Sequence, residues 1–213
     1  RTLNLVVIGK SDMTRAVVST VAHIAHYPNY AVCGGRTRIN VVAENVEEWA
    51  RDFMASHEGL FLLSRWTLVD NNGQTIASHV PTEAYGDYMD MEWRFVDGAA
   101  TGKVLDSLID NLDYSRIIVC EDDDEKSLRE LLHLPSRFQK VKKTIYQEHS
   151  ADLLKLVRQT GKYGMVTSFG PGVGAADALF LDRMTLGKKV NRFYDTQYNM
   201  PPAQDADSAW YGI

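Results

Sequence analysis

Leu3-Asn4-Leu5-Val6-Val7-Ile8-Gly9, followed by Lys10-Ser11-Asp12-Met13-Thr14, is the stretch that decides the fold class of this chain. The first part is apolar at nearly every position, so a strand built from it buries both faces, the habit of a central strand in a parallel sheet. Beyond the turn, residues 14–25 carry Val17, Val18, Val21, Ala22 and Ile24 at helical spacing, and Pro28 closes the segment. Residues 39–43 predict a second strand. Asn45 stands where it would cap a helix over 46–56 with Trp49, Phe53 and Met54 on the inner face. Further strands are expected over 93–96, 116–120, 143–147 and 163–168, and helices over 102–112, 123–132, 151–157 and 174–194. This alternation implies right-handed crossovers and an α/β fold, a doubly wound and mostly parallel sheet with a long C-terminal helix. Between about 60 and 90 the rhythm breaks. Residues 66–69, the turn signal Asn71-Asn72-Gly73 and residues 75–80 form a hairpin or an irregular excursion, an insertion after the second helix. The expected division is a domain over 1–170 and a helix with linker over 171–213 leading toward a downstream domain.

With 213 residues, 45% hydrophobic and 24% charged, the composition is that of a globular chain and excludes collagen-like, mucin-like and largely disordered readings. A net charge of -5 gives no global attraction to phosphate backbones or anionic lipid, so no nucleic-acid partner is expected. Cys33 and Cys120 are too few for a disulfide framework or a four-cysteine zinc site, and both are expected to be packing thiols. There is no run of eighteen apolar residues and no secretory pattern in the first thirty. The start at Arg1 and the close at Trp210-Tyr211-Gly212-Ile213 give the expectation of a piece of a longer protein, with any membrane contact made through a segment outside it.

In a doubly wound sheet ligands sit at the carboxyl ends of the strands, so the residues just after each strand carry the functional reading. A dinucleotide site there has G-x-G-x-x-G, the second glycine admitting the pyrophosphate and the third allowing close helix packing. Here Gly9 is retained and Ser11 and Thr14 stand at the other two positions, each adding a Cβ to that space. Glu44 ends the second strand, where a carboxylate accepts ribose hydroxyls, but it lies 35 residues after Gly9, beyond the usual spacing of about 20. The loop over 27–38 can absorb the excess. A plain strand-to-helix turn and a degenerate nucleotide site are the two readings. The acidic run Glu121-Asp122-Asp123-Asp124-Glu125 reads either as Mg²⁺ ligands or, more economically, as acids complementing a helix N-terminus, Asp122 and Glu125 having capping-box spacing. Gly170-Pro171-Gly172-Val173-Gly174 reads as a glycine-rich bend rather than an anion cradle, because Pro171 removes a donor and no P-loop Lys-Ser pair comes after it. His23 and His26 share a helix face without a third ligand nearby, and no G-x-S-x-G elbow is present. The expectation is no catalytic residue and no metal.

The order of strand ends, Leu5-Val6-Val7-Ile8-Gly9, Val41-Val42-Ala43-Glu44, Phe95-Val96-Asp97-Gly98-Ala99-Ala100 and Ile117-Ile118-Val119-Cys120-Glu121-Asp122-Asp123, resembles the TrkA-N or RCK domain. Those are cytosolic, Rossmann-like regulators of potassium channels and transporters. The stretch from Asp97 to Ala99 is similar to the family's G-D-A with the first two residues exchanged. The C-terminal part of the chain, from Tyr163 to Trp210, is similar to the segment between such a domain and a ryanodine-receptor-type (RyR) repeat in bacterial proteins. The residues that carry this likeness are Thr167-Ser168-Phe169-Gly170, Asp182-Arg183, the stretch 188–198 and the stretch 207–210. The resemblance implies a cytoplasmic, non-catalytic, regulatory or ligand-sensing domain with a degenerate nucleotide site formed by Gly9, Lys10, Ser11, Asp12, Met13, Thr14, Glu44, Asp97, Cys120 and Glu121. NAD or another adenine nucleotide would then bind weakly, and an RyR-type repeat would lie downstream in the same chain. A nucleotide-dependent oxidoreductase and a scaffold without ligand are the alternatives. In the last helix Ala178-Leu179-Phe180-Leu181 are consecutive and point to all sides, which predicts a homodimer through residues 174–194.

Overall fold

The structure is a computed structural model, and it describes residues 2–27, 29–82, 88–149 and 166–170. The expected helices over 151–157 and 174–194, with the dimer surface, and the bend beyond Gly170 lie outside the described residues.

Along the chain the elements are β1 (Asn4–Ile8), α1 (Asp12–Ile24), α2 (Asn29–Cys33), β2 (Thr37–Ala43), α3 (Val46–Ser56), α4 (Glu58–Leu63) and β3 (Arg65–Val69). Then come β4 (Thr75–His79), β5 (Met91–Asp97), α5 (Gly102–Leu108), β6 (Ser115–Val119), α6 (Asp124–His133), a 3-10 turn (Ser136–Phe138), β7 (Lys142–Tyr146) and β8 (Val166–Phe169). They form one sheet in the order β4-β3-β5-β2-β1-β6-β7-β8, parallel except where β4 runs against β3. All of β1 is buried, as its nearly continuous apolar run requires of a central strand, with Asn4 hydrogen-bonded to the Leu108 carbonyl. Without β3 and β4 the remaining order is that of a doubly wound, Rossmann-like sheet, in which the chain reverses direction between β1 and β6.

The insertion is more regular than an excursion. After an additional helix, α4, β3 joins the outer side of β5 in parallel, and β4 folds back to close the edge. The hairpin turn is stitched by Asp70, whose carboxylate accepts the backbone N–H groups of Asn72 at 2.9 Å and Gln74 at 2.7 Å; these bonds hold its pKa below the usual carboxylate value. Two further departures stand out. The loop before β2 contains the short helix α2, and α5 stops at Leu108 rather than 112 because Ile109 turns to extended backbone and buries its side chain.

Each face of the sheet has its own core. On one, Leu5, Val7, Ile39, Val41, Trp93 and Phe95 meet α1, α3 and α4 around an aromatic cluster, with Phe61 and Trp93 rings 4.9 Å apart and Phe53 and Phe61 5.5 Å apart. On the other, Val6, Ile8, Val42, Val96, Ile117 and Val119 pack with Leu105, Leu108 and Leu131 of α5 and α6. No helix among the described residues is long and apolar enough to cross a membrane.

One charge lies inside this second core. Lys143 on β7 is in register with Ile117 and Val166, and its ammonium donates to the carbonyls of Val141 at 2.8 Å and Gln139 at 3.0 Å. Burial pushes its pKa down to about 8, against 10.5 for a solvated lysine. Between those values the unfolded chain binds the proton more tightly, so raising the pH favours the folded state there. Urea unfolding of wild type and Lys143→Met at a series of pH values should show the difference moving in favour of the wild type above pH 8, while below that it stays flat.

Candidate functional site

The turn after β1 is built on one carbonyl. Gly9 has φ +114, and a Cβ there would run into the Cys120 carbonyl at the end of β6. Close approach of these two strand ends therefore requires glycine. Ser11 comes next as the N-cap of α1, its Oγ accepting the Thr14 N–H at 3.1 Å and donating to the Cys120 oxygen at 2.9 Å. Thr14 Oγ1 donates to the same oxygen at 3.0 Å. The substituents at the two lost glycine positions are thus buried and turned into the helix–strand contact, and neither lines the crevice outside. Asp12 is exposed in the first helical turn, and Met13 packs against the core beneath α1.

Outside that turn, at the carboxyl ends of β1, β2, β5 and β6, lies a crevice of about 360 Å³. Lys10 and Glu44 stand on one wall, Gly98, Ala99 and Ala100 on another, and Glu121, Lys126, Arg129 and Glu130 on the α6 side. Glu44 reaches this place because β2 pairs with β1 through Ile8 and Val42, and α2 with its flanking loops takes up the long spacing. Lys10 bridges the opening, its ammonium donating to the Asn45 carbonyl at 3.2 Å. Glu121 is buried and paired with Lys126 at 2.8 Å, a bond that raises the pKa of Lys126. The α6 cations escape a reading of strand ends alone, although Lys126 and Arg129 are spaced three apart and so share a helix face just after a strand end.

Several expected roles change. Asn45 does not cap α3 with its side chain; it is left-handed at φ 53, fixed by the Asp97 carboxylate, which accepts its backbone N–H at 2.6 Å. Asp97 is thereby drawn away from the crevice into a neighbouring depression beside Glu47 and Arg51. The cap of α6 is Asp123, accepting from the Lys126 N–H at 2.8 Å, and not the pair Asp122 and Glu125. Asp124 accepts the N–H groups of Glu148 at 2.7 Å and His149 at 2.9 Å, so the acidic run is divided among separate structural duties. Among the described residues no cluster of three or more His, Cys, Asp or Glu is arranged to hold a metal. His23 bonds the Tyr88 hydroxyl and His26 the Asp90 carboxylate. Cys120 is buried, its thiol pushed up to about 12 by desolvation, but Cys33 is exposed on α2 and is no packing thiol. Gly170, at φ +117, repeats the device of Gly9, since a Cβ there would meet the Gln147 carbonyl.

No family model matches this chain, nor does any curated protein or solved structure.

Gly9→Ala should cost about 3 kcal/mol in urea unfolding, since it adds both a clash with the β6 end and a strained φ. Iodoacetamide at pH 8, with subsequent mass mapping, should modify Cys33 in the folded protein and reach Cys120 only after denaturant is added.

Proposed function

We propose that this chain is a regulatory, ligand-sensing, Rossmann-like domain that takes an adenine nucleotide weakly in the crevice and does not transform it. The observation that carries the reading is the seating of Gly9 against Cys120 where the strand order reverses, beside a crevice at the strand ends edged by Lys10 and Glu44. Glu44 is exposed and supplies the carboxylate that a ribose diol needs, while Lys10 supplies a cation beside the phosphate position. Affinity is held down by two features. Ser11 already occupies the Thr14 N–H, and Glu121 and Glu130 bring negative charge to the same opening as a phosphate chain.

The hydroxyls of Ser11 and Thr14 are committed to a carbonyl, the Cys120 thiol is buried, and no histidine among the described residues lines the crevice, which favours sensing over catalysis. The strand order is Rossmann-like, the fold class that the resemblance to TrkA-N domains implies. From it we extend the proposal to a cytoplasmic part of a potassium-channel-associated or RyR-repeat protein, self-associating through residues 174–194.

Titration calorimetry with ATP, NAD, NADH and cyclic dinucleotides tests the reading. At least one nucleotide should bind with a dissociation constant of about 10–100 μM, and Glu44→Ala should weaken it about tenfold. Submicromolar NAD binding would overturn the reading of the first turn as degenerate, and steady turnover of nicotinamide absorbance would establish the oxidoreductase alternative. Absence of any nucleotide binding would leave a scaffold.

A further inference from the structure

Three neighbouring strands begin with a pattern foreign to a parallel sheet covered on both faces: Arg65-Trp66-Thr67, Thr37-Arg38-Ile39-Asn40 and Met91-Glu92-Trp93-Arg94. Their apolar members Ile39, Met91 and Trp93 are buried and Trp66 packs against the same core, which α3 and α4 share. The register sets the polar members on the opposite face in two rows, Arg65–Glu92–Arg38 and Thr67–Arg94–Asn40. The next row, Val69–Val96–Val42, is buried with residues of α5. Where α5 ends, the polar rows floor a concavity of about 350 Å³ walled by Gly34, Gly35, Arg36, Ser107 and Leu108. It lies at the amino ends of the strands, opposite the crevice.

Two of the charges here are answered. Arg38 pairs with Asp110 at 2.7 Å. Arg36 donates to the Met89 carbonyl at 3.2 Å and lies 4.9 Å from the Tyr30 ring. Glu92 sits between Arg65 and Arg38 in its row but makes no ion pair or side-chain hydrogen bond with a described residue. The Arg94 side chain, half-buried and flanked by the neutral Thr67 and Asn40, likewise makes no ion pair or hydrogen bond with any described residue. The Arg65 Nε is also buried without a partner among the described residues. In a protein of net charge -5, three arginines around one cavity, with Glu92 as the only carboxylate lining it among the described residues, are a local inversion of charge.

We infer that this concavity binds a small oxyanion, the phosphate or carboxylate group of a metabolite, with Arg94 as its principal contact and Arg36 and Arg38 flanking. A guanidinium on a central strand offers a planar fork of donors at a fixed position, the geometry that oxyanions accept bidentately. The site is independent of the nucleotide crevice.

The test is titration calorimetry of the whole chain in low-salt buffer with inorganic phosphate and with succinate as probes, on wild type, Arg94→Met, Arg94→Lys and the surface control Arg51→Met. At least one probe should bind the wild type and Arg51→Met alike. Arg94→Met should weaken it about tenfold or more, with Arg94→Lys intermediate because it keeps the charge and loses the fork. Circular dichroism melting verifies that each variant is folded, and the probe that binds identifies phosphate or carboxylate as the group recognised. Failure of both probes to bind, or equal binding by wild type and both Arg94 variants, would overturn the inference.

Discussion

The carbonyl oxygen of Cys120 has two lone pairs, and the hydroxyls of Ser11 and Thr14 take both, so the end of β6 is tied to the first turn of α1 by side chains. The strand order reverses between β1 and β6, and the two strand ends must approach closely for the chain to wind both ways from there. Gly9 permits the approach, and the hydroxyls secure it. In the dinucleotide fingerprint, glycines at the positions of Ser11 and Thr14 let helix and strand close by leaving space. Here the same closure is reached by filling that space with hydrogen bonds to a buried carbonyl that would otherwise lose one to several kcal/mol of solvation. One N–H of the helix terminus is given up in exchange, donated to Ser11 instead of to a ligand.

That substitution shapes the electrostatics of the crevice. With Glu121 paired to Lys126 and Lys10 bonded to a carbonyl, the opening presents nearly balanced charge, not the concentrated donor array that grips a pyrophosphate. The Asp97 carboxylate, which holds Asn45 left-handed, shows how a strand-end acid can look like a ligand group in sequence and be a structural clamp in space.

Strands and helices near β1 are legible in the sequence because their periodicities are local: an apolar run for β1 and helical spacing for α1 and α3. The hairpin turn is legible from Asn71-Asn72-Gly73, but nothing local says that β3 adds to β5 in parallel, a pairing made across the intervening β4. The Asn45 cap fails for a related reason, since a residue suited to capping is claimed by a carboxylate 52 positions away. Ser11 and Thr14 stand out in the sequence as departures from a glycine pattern. Their inward direction is not visible there, because it depends on where Cys120 stands.

The polar rows at the lower end of the sheet follow from a mismatch of size. Eight strands spaced about 4.8 Å apart make a sheet roughly 34 Å wide, while a helix about 10 Å across covers only two strands. On the face opposite α3 and α4, the described helices are α5 and α6, enough for about half that width. α5 is also short: its 7 residues reach roughly 10 Å along strands such as β5, whose 7 residues extend about 23 Å. The lower part of β3, β5 and β2 on that face therefore extends past the end of α5, and apolar residues there would remain in water. Arg65, Arg38, Glu92 and Arg94 answer that constraint. The insertion that widens the sheet thus makes the polar floor necessary. Solvation alone, however, requires neither its sign nor an Arg94 without a carboxylate partner among the described residues, and those two features are what the proposed oxyanion site accounts for.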